Sequence, residues 1–258
     1  MNIDTSTETV GEVVRRDYRA AAVFKSFHID FCCGGNKSIA QVCAERKLDE
    51  QKVLDALRNY LNESPAKGDI NFDAWPLDLL IDYIEKTHHR YVERSIPPLK
   101  NYLRKLVAIH GEAQPQLRVI EQLFNASAGN LAQHMKKEEL ILFPYIRKMV
   151  KAALVGEELT PPSFGSVAQP IASMIVEHET EGAHFDQISK ESNEFDVPGW
   201  GCNTYAVAMK LLQEFQEDLH LHIHLENNIL FPKAAELEKR LKKAQPETDH
   251  IENSSCAL

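Results

Sequence analysis

The chain has 258 residues, 43% hydrophobic and 26% charged, which excludes a disordered protein and suffices for one good core with a small second domain. A net charge of −9 without an outstanding Lys/Arg cluster sets nucleic acid and anionic membranes aside as partners. Residues 1–8 are polar and acidic and no apolar run approaches membrane-spanning length, so a cytoplasmic location is expected.

Residues 9–61 alternate short helical runs with breaks, which predicts a small all-α domain over 1–61. Tyr18 to Phe27 is one run, Ser38 is placed to cap a helix over Ile39 to Lys47, and Asp49 caps a last run through Leu61. Residues 62–74 carry Pro65 and Gly68 without periodicity and are expected to link this domain to a larger one over 75–243. That larger domain reads as long helices at roughly 76–111, 116–153, 166–195 and 201–243, followed by a polar tail at 244–258. No strand-like alternation competes, so the fold class is all-α. Pro144 and Pro232 are expected to bend their helices, and Pro97-Pro98 to kink or end the first one.

Within those helices one block occurs twice. His134 and Glu138 are followed by residues ending in Phe143-Pro144, and 88 residues later His222 and Glu226 are followed by the same ending, Phe231-Pro232. A His and a Glu four apart lie one turn above each other on one helix face, so each block offers an imidazole nitrogen and a carboxylate to one point. One copy alone reads as an ordinary surface pair; two copies with the same apolar sequel predict a metal site. Each block has an upstream His at a similar interval, His88 for the first and His178 for the second, 46 and 44 residues ahead. Two such hairpins pack into a four-helix bundle holding four imidazoles and two carboxylates.

Eleven histidines make the choice a matter of register. In the run of His220, His222 and His224, the 88-residue offset matches His222 and Glu226 to His134 and Glu138, which leaves His220 and His224 for the surface or the surroundings of the site. His89 lies on a different helical face from His88, and geometry alone does not dismiss it. Glu139 is expected to face solvent. His28, His110, His184 and His250 have no ligand-spaced partner and are expected to be solvated or satisfied in the core. A set without thiolate does not suit structural zinc. It suits two iron ions joined by an oxo or hydroxo group, with Glu138 and Glu226 bridging, or else two manganese ions.

Together with the segment Asp30-Phe31-Cys32-Cys33-Gly34-Gly35 and the pair Glu177-His178, these blocks resemble the bacterial di-iron proteins that repair iron-sulfur clusters, over nearly the whole chain. The resemblance implies a hemerythrin-like bundle behind a small helical domain, with ligands His88, His134, Glu138, His178, His222 and Glu226. It also implies damaged iron-sulfur proteins as partners, under oxidative or nitrosative stress, with the di-iron centre as iron source or as a site reacting with nitric oxide. Oxygen-carrying hemerythrins have a second His four residues after the third-helix ligand, where this chain has Gly182; simple oxygen carriage is therefore disfavoured.

Of Cys32, Cys33, Cys43, Cys202 and Cys256, none has the spacing of a secreted disulfide framework, and Cys256 reads as an incidental thiol. Neighbouring cysteines form only a strained ring, so Cys32 and Cys33 are expected to act as thiol donors to iron or in redox exchange, with the Ser38 helix N-terminus placed to lower a thiol pKa. The alternatives are reduction of nitric oxide or peroxide at the di-iron site, and non-catalytic oxygen or iron binding. The protein is expected to be a monomer or homodimer.

Overall fold

In the computed structural model, residues 3–63 and 70–244 are described. All regular structure among them is helical, apart from one isolated bridge between Thr9 and Ser38. Helix α1 (Val10–Arg16) opens on a reciprocal cap in which the Thr9 hydroxyl accepts from the Glu12 N–H and Glu12 accepts from that of Thr9. After α2 (Ala20–Ser26), α3 (Ile39–Arg46) begins with the same device between Ser38 and Gln41, as its sequence predicts. Asp49 accepts from the N–H groups of Gln51 and Lys52 at the start of α4 (Glu50–Glu63).

The four long helices that follow form the bundle, and three of them change pitch partway. The first runs as α5 (Leu77–Tyr83), a π-helical segment Ile84–His89 and α6 (Arg90–His110). The second runs as α7 (Gln116–Lys137), a π segment Glu138–Leu142 and α8 (Phe143–Val155). The third, α9 (Ala168–Glu191), is uninterrupted, and the fourth is α10 (Asn203–His224), a π segment Leu225–Leu230 and α11 (Phe231–Ala244). Helix α7 packs on α6 and α9, and α10 on α6 and α9, which closes the ring of four.

The π segments explain what the prolines do. Pro144 and Pro232 cannot donate a backbone hydrogen bond, and their rings crowd the carbonyl four residues earlier; a wider turn just ahead of each absorbs both problems, and the helix continues. Pro97 and Pro98 do not end α6, which runs on to His110. Leu99, Leu103 and Leu106 on its buried face hold the helix against the lost bonds.

The apolar interior has two parts. One lies between α6, α7, α10 and the C-terminal half of α9, around the mutually packed rings of Phe124, Phe185 and Phe215, and is continuous with the core of α1–α4. The other lies between α5, α8, α11 and the start of α9. On every long helix the candidate ligands fall between the two. Phe72, in the short 3-10 turn Phe72–Ala74, is buried in the second part, so this piece of the expected linker is packed. Residues 64–69 of that linker, and nearly all of the expected tail with His250 and Cys256, lie outside the described residues. No helix among the described residues is long and apolar enough to cross a membrane.

Candidate metal centre

Two groups of four side chains converge between the cores. His89, Glu138, His222 and Glu226 bring ligand atoms within 4.8 Å of one another, and so do His134, Glu138, His178 and Glu226. All are buried, and Glu138 and Glu226 belong to both groups. Each carboxylate comes from a π segment, where the wider turn re-aims the side chain inward.

The hydrogen bonds behind the imidazoles fix which nitrogen faces inward. His134 Nδ1 lies 2.9 Å from Glu177 Oε2 and donates to it. His178 Nδ1 donates to Asn227 Oδ1 at 2.8 Å, because the amide nitrogen of Asn227 is occupied in donating to the Cys32 carbonyl at 3.3 Å. His89 Nδ1 lies 3.0 Å from Glu139 Oε1 and donates to that carboxylate. With Nδ1 protonated in each, the inward Nε2 of the neutral ring is a lone pair. The Nε2 atoms of His134 and His178 stand only 3.0 Å apart. Two lone pairs at that separation in a dry interior repel unless a proton or a cation lies with them.

The carboxylates make the same demand. Both oxygens of Glu138 and Oε2 of Glu226 are buried and, among the described residues, lack a hydrogen bond of good geometry, although His Nε2 atoms approach them at 3.2–3.4 Å. Burial opposes ionisation of Glu226, but His222 and His178 outweigh it and hold its carboxyl well below the usual range. Burial likewise disfavours the charged form of His134, yet Glu138 and Glu226 push its pKa up to about 10. Protons on the imidazoles thus supply positive charge that a pair of divalent cations would supply instead, and the donor set of imidazole and shared carboxylate fits such a pair.

One expected ligand is displaced. His88 is buried but belongs to neither group: its Nδ1 is 3.0 Å from Asp218 Oδ1, and its ring stacks on that of His222 at 5.6 Å. His89 takes the place expected of His88. The sequence held the signal, because His89 precedes His134 by 45 residues and His178 precedes His222 by 44, a closer match than His88 gives. A second signal is the residue after each block Glu, Glu139 or Asn227, which in both copies accepts from a ligand-candidate His on a neighbouring helix. Glu139 is accordingly mostly buried, not solvent-facing.

His224 is also not at the surface. It is buried under the N-terminal helices against Tyr18 and Phe31, with its Nδ1 accepting from Asn228, and burial pulls its pKa down to about 3. His220 meets Phe31 edge-on and is held near 4, again by burial. Asn228 donates to the Phe31 carbonyl as well, and Gly11 and Gly35 close over it so tightly that a Cβ at either would stand within 2.8 Å of its side-chain oxygen. This clamp brings the cysteine loop to the bundle.

In that loop Asp30 accepts from the N–H groups of Cys32, Cys33 and Gly34 at 2.8–3.0 Å. The thiols are 4.0 Å apart, and Cys33 Sγ donates to the His178 carbonyl at 3.3 Å. A Cβ at Gly182 would lie 3.1 Å from Cys33 Sγ, so the residue that stands where oxygen carriers have a His makes room for a thiol. The Ser38 helix does not lower the Cys32 pKa. The Cys33 hydrogen bond, burial and Asp30 together hold that thiol well above its ordinary value.

Residues 6–60 match a domain described as a domain of unknown function, ScdA_N, and residues 80–234 match the hemerythrin HHE cation binding domain. The chain is 31% identical over 227 residues to the iron-sulfur cluster repair protein YtfE of Musicola paradisiaca, covering 88% of this chain and 96% of that one. It is 30% identical to the YtfE protein of Yersinia pestis strain Pestoides F, covering 90% and 98%. The iron-sulfur cluster repair protein ScdA of Staphylococcus haemolyticus is 27% identical, with 89% and 98% covered. A cation-binding bundle of the hemerythrin type, joined to an ScdA_N domain in relatives matched almost end to end, places this chain in the ScdA/YtfE family of hemerythrin-domain proteins.

Proposed function

We propose that this protein repairs iron-sulfur clusters damaged by oxidative or nitrosative stress, using two iron ions held by His89, His134, Glu138, His178, His222 and Glu226. The observation that carries the reading is the pair of donor groups sharing both carboxylates, which suits two ions bridged by Glu138 and Glu226. When bound, the iron pair supplies either releasable iron or a centre that reacts with nitric oxide. The chain's own residues set the terms of that chemistry. Glu177, Asn227 and Glu139 hold three imidazoles with Nε2 inward, which aims these donors at the centre before iron binds. Apolar packing on both sides keeps water from the carboxylates. Asn227 connects the His178 ring to the Cys32 backbone, so movement of the cysteine loop is felt at the centre.

The test is recovery of a cluster-dependent dehydratase inactivated by nitric oxide or peroxide. Iron-loaded protein is expected to restore it, and a Glu138→Gln, Glu226→Gln variant is expected to bind less iron and to fail. Equal recovery with free ferrous iron at the same concentration would refute specific repair.

A further inference from the structure

Cys32 and Cys33 line a cavity of about 610 Å³ between the N-terminal helices and α9 and α10, together with Asp30, Glu179, Gly182 and His220. Ligand atoms of Asp30, Cys32 and Cys33 lie within 4.8 Å of one another, and none of these residues belongs to the buried centre. The thiol separation of 4.0 Å is close to the edge of a tetrahedral site, since metal–sulfur bonds of about 2.3 Å put two sulfurs about 3.8 Å apart. The N–H groups of Cys32, Cys33 and Gly34 fix the Asp30 carboxylate beside both sulfurs, and its Oδ2 keeps a lone pair free.

We propose that Asp30, Cys32 and Cys33 form a second, mononuclear site for a thiophilic divalent cation, reached from the cavity and separate from the buried pair. Two thiolates and a carboxylate select a borderline-soft ion, and the remaining position faces the cavity, where a water or an incoming ligand completes the coordination. As the ion enters, both thiol protons pass to solvent, and the hydrogen bonds of Cys32 to Asp30 and of Cys33 to the His178 carbonyl are given up. Lys25, Lys37 and Arg46 line the same cavity, alongside Glu179, Asp186 and Glu194.

The position of the site gives it a role. The buried centre is closed to solvent, whereas Cys33 is partly exposed and touches the backbone of His178. The thiol site is therefore a transfer station between that centre and a client. The identification of ferrous iron as the physiological ion rests on the proposed repair function; the existence of the site does not.

The experiment titrates Co²⁺ into the reduced, metal-free full-length chain without oxygen. Cobalt bound by thiolate gives an intense near-ultraviolet charge-transfer band, which the nitrogen and oxygen donors of the buried centre cannot produce. The expected result is such a band accounting for one equivalent. It is lost in Cys32→Ser, Cys33→Ser while the visible bands of the buried centre persist, and it is retained in Cys202→Ser, Cys256→Ser. Asp30→Asn, which keeps a side-chain acceptor for the loop N–H groups, is expected to weaken cobalt binding at this site at least tenfold, and it decides the matter if the double Ser variant misfolds. Absence of the band in the parent chain, its survival in the double Ser variant, or unchanged affinity in Asp30→Asn would overturn the site. A thiolate band without the visible bands of the buried centre would instead support this site and remove the centre on which the repair function rests.

Discussion

Replacing His88 and His89 one at a time separates a ligand from a neighbour that only supports the fold. His89 reaches one of the two donor groups, so His89→Ala is expected to lower metal content from about two ions per chain to about one. His88→Ala is expected to retain both ions and lose stability. It removes a hydrogen bond to Asp218, whose side chain is 18% exposed, and bonds to charged groups contribute about 1.5–3 kcal/mol. It also vacates roughly 60 Å³ beside the His222 ring, adding on the order of 1.5 kcal/mol at about 24 cal/mol per Å³. A destabilisation of about 3–4.5 kcal/mol lowers Tm by on the order of 10 °C in a chain of this size. Elemental analysis and thermal melts followed by helical circular dichroism measure both quantities. Loss of metal from His88→Ala with full retention in His89→Ala would refute the assignment.

Four further outcomes follow from the geometry. In the metal-free protein the protonated form of His134 stabilises the fold, fully below its unfolded value near 6.5 and decreasingly as pH rises through about 10; melts across that window should show the decline, and His134→Gln should flatten it. Glu226 works in the opposite sense: its contribution is complete above 4.5 and disappears as pH falls through its depressed folded value, so acid unfolding of the metal-free chain should be blunted in Glu226→Gln. Asn227→Ala removes both the acceptor for His178 and the tie to Cys32, and competition with a chelator should show about 10–100-fold weaker metal binding in a chain that still folds. Phe215→Ala empties the centre of the aromatic cluster and should cost about 3–5 kcal/mol by chemical denaturation, with metal stoichiometry unchanged.

The four-helix plan was legible because the apolar periodicity is long, and the duplicated block pointed to His134, Glu138, His222 and Glu226. What escaped was local. A wheel drawn at 100° per residue assumes α-helix, yet His88 and His89 sit in a π segment, where that rotation does not hold and adjacent residues cannot be sorted by face. His220 and His224 fall on the side of their helix opposite the ligands, which reads as surface when the bundle is considered alone. They are covered because Tyr18 and Phe31, some 200 residues earlier in the chain, pack over them, and no periodicity within the helix reports on a partner so distant. The raised Cys32 pKa is of the same kind, since it arises from burial beside Asp30 and Cys33 and not from the helix that begins at Ser38.

The layer of ligands between the two apolar cores has a consequence for how the molecule comes apart. Hydrophobic collapse cannot extend across a cross-section filled with imidazoles and carboxylates, so the halves cohere through continuous backbone and through whatever charge neutralises that waist. The N-terminal helices share a core with one half only. A metal pair bound there would act as a rivet, and without it the two units would open separately. The half built from α5, α8 and α11 would then exchange its amide hydrogens first, while the half bearing the cysteine loop stays closed.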